Sequence, residues 1–366
     1  MPASKYLLKA AIWIIILLTL NTVSPTHYSN ATAPSQASAA KSALNWLSEN
    51  ANPDGSFGGF AQITSPAAAF ALWLNDSRSA QATKSFSWLS SQLDDSSSFA
   101  WGEADIPGQI LYALSASGNV RLLVNPSDFS ALLSYQQDNG GFRGWYDQSG
   151  AQTTSSVDTA MALLGLTGTH AISSSELQQA SAYLMLLQNH DGSFNLTRTE
   201  ASNHYETLGP ESISTTALAV LALKSASYTA SNTSVANALS FLATASSSNF
   251  TSSHDNRGHV YAASLSALAL NAFGRAAQAE ASIAFIISQQ DSDGGFRDIG
   301  RGSSGSNALD TGWAAIALEQ VQPGPLFSSL LSPIVFVGVI ILAGVVAVVV
   351  VVSAYSLLRR RAIKPT

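Results

Sequence analysis

The chain has 366 residues, 46% of them apolar and only 11% charged, against about 25% charged in an ordinary soluble protein. It has no cysteine, which excludes disulfides, thiolate zinc sites and cysteine nucleophiles. With the six cations of the two ends set aside, eleven Lys and Arg face 23 Asp and Glu, a body charge of −12. That balance argues against a nucleic-acid partner, which needs a basic surface.

In chain order, Lys5 and Lys9 precede an apolar run from Ala10 to Leu20, and a Ser/Thr/Ala-rich stretch continues to residue 40. A basic start, a short apolar run and small polar residues have the layout of a secretory signal, so residues 1–40 are expected to be a signal and polar linker. The run is short for a membrane span, which favours a cleaved signal over a retained anchor.

From Lys41 to Val321 one pattern repeats. A helix-patterned segment ends in an Asp/Gly turn and a phenylalanine at Asn52 to Phe57 (NPDGSF), Gln136 to Phe142 (QQDNGGF), Gln188 to Phe194 (QNHDGSF) and Ser288 to Phe296 (SQQDSDGGF). Weaker copies end at Phe99 and Phe250, so six phenylalanines fall 42 to 56 residues apart. Such a period marks one supersecondary unit copied and stacked. The first half of each unit is amphipathic; in the fourth, Leu177, Ala180, Leu184 and Leu187 recur at three- and four-residue steps, as on an outer helix. The second half is apolar nearly all round, as in residues 160–166, 217–223 and 313–318, which predicts a helix buried on every face. Six such hairpins predict an all-α, double-walled ring over residues 41–321. In the turns, Gly supplies the positive φ that ends the first helix and Asp bonds backbone. Good N-caps precede several inner helices: Ser65 before Pro66, Ser156 or Asp158, Ser212 or Ser214, and Asp310.

After a linker at 322–332, residues 333–358 are uncharged and rich in Val, Ile, Ala and Leu, long enough for one transmembrane helix. The tail 359–366 holds Arg359, Arg360, Arg361 and Lys364. By the positive-inside rule the tail is cytoplasmic and the ring extracytoplasmic, on a single-pass cell-membrane protein.

These turns, followed by inner helices opening DTAMALL (Asp158 to Leu164), STTALAVLAL (Ser214 to Leu223) or DTGWAAIAL (Asp310 to Leu318), resemble the α/α-toroid repeats of protein prenyltransferase β-subunits and squalene-hopene-type cyclases. The resemblance covers about 41–321 and implies the toroid fold. In the prenyltransferases it implies zinc held by Asp, Cys and His; this chain has no cysteine, and its six histidines show no metal-ligand spacing, so neither metal nor cofactor is expected. In the cyclases it implies an acid in a DxDDTA motif. Here Val157 stands at the acid's position and only Asp158, Thr159 and Ala160 survive; the segment at Asp310 departs in the same way.

What remains for a site is a set of aromatic, acidic and histidine residues on rim loops and inner helices. These are Trp101, Glu103 and Asp105; Trp145 and Tyr146; Asp158; His204, Tyr205, Glu206 and Glu211; His259 and Tyr261; Asp310 and Trp313. The bland counterparts are helix caps for the aspartates and half-buried loop anchors for the others. The leading expectation is a membrane-tethered toroid that binds an apolar, lipid- or isoprenoid-like ligand or a surface glycan without the family's catalytic residues. The alternative is a divergent enzyme, either isoprenoid-processing or polysaccharide-active. The latter would use paired carboxylates from Glu103, Asp105, Glu206 and Glu211, about 5 to 9.5 Å apart across a cleft. A structural or adhesive surface domain is the third option.

Overall fold

The computed structural model describes residues 34–94, 96–118, 125–146, 152–196, 210–250, 259–299 and 303–321. Among them are twelve α-helices: α1 (Gln36–Glu49), α2 (Ala61–Asn75), α3 (Ala80–Asp94), α4 (Asp105–Ala116), α5 (Pro126–Leu133), α6 (Ser156–Thr169), α7 (Ser174–Leu186), α8 (Pro210–Ser225), α9 (Thr233–Ser247), α10 (Val260–Ala272), α11 (Ala276–Ser288) and α12 (Ala308–Gln320). The even-numbered helices are the inner ones. Each packs on the next, and α12 returns to α2, so six inner helices close a ring with the odd-numbered helices outside. The chain has the α/α-toroid fold.

Composition explains the closeness of the ring. Alanine dominates the inner faces, and glycines stand where two backbones meet. A Cβ on Gly108 of α4 would lie 2.6 Å from the Met161 backbone of α6, and one on Gly312 of α12 would lie 2.7 Å from the Ala68 nitrogen of α2. Any side chain there would push adjacent inner helices apart.

The inner helices run parallel. At their N-terminal rim, the mouth, Asp158 of α6 reaches the backbone that opens α4. At their C-terminal rim, the base, Gly168 of α6 abuts Ser115 of α4.

The repeated turn closes each hairpin through a hydroxyl. The amides of Phe142, Phe194 and Phe296 each donate at 2.9 Å to the Oγ1 of Thr159, Thr216 and Thr311, within the first two turns of the following inner helix. Ser65 does the same for Phe57. The threonine of the DTA-like segments is therefore a hairpin lock. Five of the six rings are fully buried, and Phe99 of the weak second copy is half-buried against Tyr135. Gly55, Gly140, Gly192 and Gly294 take the expected positive φ. The turn glutamines reach sideways: Gln136, Gln188 and Gln290 donate to the carbonyls of Glu176, Ser234 and Ala39 on the next outer helix. The glycine-free fifth copy places Asn249 and Phe250 at φ 53° and 57° instead.

Three local expectations are corrected. Helix α2 begins at Ala61, so Ser65 and Pro66 lie inside it; α8 begins at Pro210, with Ser212 and Ser214 inside. The N-caps of α6 and α12 are Ser155 and Asn307, each accepting from an Asp amide three residues on. The aspartates thus stand in the first turn, where their carboxylates are released for neighbouring segments. Where an all-α ring was expected, the segment before α6 adds an antiparallel ribbon, β1 (Phe142–Tyr146) with β2 (Gln152–Ser155). No helix among the described residues is long and apolar enough to cross a membrane. The apolar runs at 10–20 and 333–358 lie outside the described residues.

Candidate functional site

Two regions of the ring gather the functional side chains. The first is its aromatic centre. Phe70 of α2, Tyr112 of α4, Tyr261 of α10 and Trp313 of α12 come from separate inner helices and meet edge to face or stacked, with centroids 6.0 to 6.4 Å apart. Tyr112 and Trp313 are stacked, at 12° between planes. Beside them Pro66, Ala67, Phe70, Gln109, Tyr112, Ala113, Trp313 and Ile316 line a pocket of about 200 Å³, a volume that includes its open mouth. That figure counts open solvent; the space open to a water-sized group is only about 10 Å³, room for about one water and far below the ~300–1,000 Å³ of a usual ligand pocket, so it takes only the tip of a ligand. Its wall is apolar apart from a few groups. Trp313 is 2% exposed, yet its indole N–H has no hydrogen-bond partner among the described residues. Burial pushes the Tyr112 phenol up to about 12, so it is a neutral donor. A buried donor without an acceptor is uncommon and costs stability.

The second region is acidic and lies at the mouth between α4 and α6. Asp158 accepts from the amides of Ala104 and Asp105 at 2.9 and 3.0 Å through one oxygen, and from the Ser155 hydroxyl through the other. It caps its neighbour's helix. The ribbon covers it, since a Cβ on Gly144 of β1 would strike its carboxylate. Burial, then the Asp105 charge, pushes Asp158 up to about 8, against the bonds from Ser155 and the Asp105 amide. Asp105 rises to about 6 through burial and the charge of Glu103, and burial raises half-exposed Glu103 as well. The three carboxyls share one field and titrate as a group.

Across the ring, Asp310 serves a different neighbour. It accepts from the Asp298 amide at 2.8 Å and from the Asn307 side chain at 2.6 Å. Asp298 in turn pairs with His259 Nδ1 at 2.8 Å, both groups buried. Among the described residues no group of three His, Cys, Asp or Glu could hold a metal.

The structure thus brings Glu103, Asp105 and Asp158 together at the mouth, sets His259 near Asp310 through Asp298, and puts Tyr261 and Trp313 in the aromatic centre. Trp101 stands apart, 62% exposed. His204, Tyr205 and Glu206, and the side chains of Trp145, Tyr146 and Glu211, lie outside the described residues. Sequence reasoning missed Phe70, Gln109, Tyr112 and Asp298. The first three sit within or beside the runs that revealed inner helices; an aromatic or amide in such a run, on a helix buried all round, was the available signal.

With the geometry in hand, the chain can be set beside known proteins. Residues 120–283 match the family described as A-macroglobulin TED domain. No curated protein matches the chain in sequence. Among solved structures, the type II terpene cyclase MstE from Scytonema superposes with a TM-score of 0.57 at 15% identity, over 78% of this chain and 98% of that one. A possible member of the GH105 family from Salmonella enterica gives 0.52 at 11% identity, over 81% and 95%. A structure described as a glycosidase gives 0.51 at 13%, over 76% and 95%. At these identities the likeness is one of fold, and what the chain belongs to is the α/α-toroid architecture shared by these proteins.

Proposed function

We propose that this protein is a membrane-tethered, extracytoplasmic toroid that binds a small apolar ligand at its aromatic centre without the chemistry of the terpene cyclases it resembles. The observation that carries this reading is Trp313: a buried indole donor without a partner among the described residues, on the wall of a mostly apolar pocket that also holds Gln109, beside the Tyr112 ring. A ligand with an apolar body and one acceptor oxygen would answer it. The acid at the mouth supports the same conclusion, because Asp158 spends both oxygens on helix and cap contacts beneath the ribbon. The tether rests on the uncharged run at 333–358 and the basic tail.

The test is thermal melting of the full chain in lipid nanodiscs with a series of medium-chain alcohols, ketones and matched alkanes. Oxygen-bearing probes should raise the Tm and do so less in Trp313→Phe, since one hydrogen bond is worth about 0.5–1.5 kcal/mol, or ~2–10-fold in affinity. No shift with any probe would overturn the reading.

A second reading, a divergent acid–base enzyme on a glycan, is favoured by one observation: burial raises both neighbouring carboxyls, Glu103 and Asp105, and the charge of Glu103 raises Asp105 further, as general acid–base work requires. It predicts turnover that is lost in Glu103→Gln and Asp105→Asn while the fold survives.

A further inference from the structure

The two ends of the toroid leave it at one point. At the start of α1 the Gln36 side chain donates to the carbonyls of Leu318 and Val321 at the end of α12, at 2.7 and 2.6 Å. These are the residues through which the chain enters the ring and leaves it, and they lie at the base because α12 ends there. The exposed apolar side chains lie elsewhere. Phe60 and Ile63 at the start of α2, Trp101 before α4, Leu186 at the end of outer helix α7 and Ile299 in the loop before α12 all stand toward the mouth, 36 to 75% exposed.

Two orientations on a membrane compete. Mouth-down, Phe60 and Trp101 would enter the interface, where aromatic rings are favoured. Base-down, the chain ends would meet the membrane directly. Charge and reach decide between them. Glu103 and Asp105 stand at the mouth beside Trp101, and the turn acids Asp54, Asp138, Asp191, Asp291 and Asp293 share that rim against Arg143 and Arg297; pressing this acidic rim onto phosphate headgroups would add like charge and remove water from it. At the base, Arg78, Lys224 and Arg275 nearly balance Asp76, Asp128, Glu176 and Glu319. Eleven residues separate Val321 from Pro333 and reach at most about 40 Å fully extended. Helix α12 spans about 20 Å of the ring's height, and loops add to it at each rim. A mouth-down ring would draw the connection toward its limit, while a base-down ring leaves it slack.

We infer that the toroid stands base-down on its bilayer and presents the mouth, with its aromatic rim and acids, to the exterior. This rests on the membrane-tether reading above. Whatever reaches the ring through the mouth then arrives from outside and not from the anchoring lipid.

The absence of cysteine makes the test direct. A dye is placed on Ser231→Cys, in the connector at the base, or on Ser304→Cys, in the loop before α12, in full chain reconstituted in phosphatidylcholine vesicles with acceptor-labelled headgroups. The base-down ring gives stronger energy transfer from position 231, by a distance difference of about 20 Å. Equal transfer from both positions, or stronger transfer from 304, overturns the orientation and leaves the tether standing. A chain that does not co-float with the vesicles removes the tether and the orientation with it.

Discussion

Asp158 and Asp310 occupy the same place in two repeats. Each is followed by threonine, each stands in the first turn of an inner helix, and each has its amide held by the N-cap residue. Their carboxylates nevertheless do different things. Asp158 crosses to the preceding inner helix and caps α4, where burial and then the charge of Asp105 keep it protonated to about 8. Asp310 stays within its own repeat and fastens the loop whose Asp298 holds His259. The motif fixes backbone, and the neighbours then decide the chemistry. This is why a DT segment that resembles a cyclase motif does not by itself carry an acid's chemistry.

The largest effect that would sharpen the comparison is at Asp310. Asp310→Ala leaves the Asp298 amide and the Asn307 amide group without their acceptor in a fully buried setting, and should cost about 3 kcal/mol in chemical denaturation. A loss under about 1 kcal/mol would mean the loop is held by other contacts.

At Asp158 the sign depends on the substitution and on pH. Its folded-state pKa, and that of Asp105, are raised above the unfolded value of 3.8. The folded state therefore holds protons that the unfolded state has released. That contribution is fully present below pH ~4 and is lost as pH rises through about 6 to 8. Thermal stability should fall over this interval in the wild type, and Asp158→Asn, which mimics the protonated acid, should flatten the fall. Asp158→Ala should cost about 2 kcal/mol through the uncapped amides of Ala104 and Asp105. A wild-type profile that rises from pH 4 to 8, unaltered in Asp158→Asn, would contradict the assignment of the proton.

Smaller effects belong to the hairpin locks. Thr216→Val or Thr311→Val keeps the shape and removes the hydroxyl that receives the Phe194 or Phe296 amide, for about 1–2 kcal/mol each. In the fifth turn, Asn249→Gly should stabilise by a few tenths to about 1 kcal/mol, because a left-handed φ of 53° favours glycine. Equilibrium unfolding of these variants checks both.

Most of the toroid was legible in the sequence because the cause of each element is local. The turn glycines, the buried phenylalanines and the inner runs apolar on all sides each follow from a few adjacent residues, and six copies reinforce one another. The ribbon of Phe142–Tyr146 with Gln152–Ser155 was not legible, since FRGWY and QTTS offer no alternation long enough to distinguish a strand from a loop. The closure of the ring through Gln36 depends on a contact 282 residues away in sequence. The site divides in the same way. Glu103 and Asp105 are neighbours in sequence and remain so in space. Their partnership with Asp158 needed the packing of α4 on α6, and the pairing of Trp313 with Tyr112 needed α12 to pass beside the first two repeats.

On the reading proposed above, the aromatic centre holds a small apolar ligand. Native mass spectrometry of the full chain released from nanodiscs tests it most directly, with Ala113→Leu as the variant that fills the pocket. The account predicts one small molecule bound per wild-type chain and a bare mass for Ala113→Leu. A bare mass for the wild type, still folded and still without adduct after incubation with oxygen-bearing apolar probes, would contradict it.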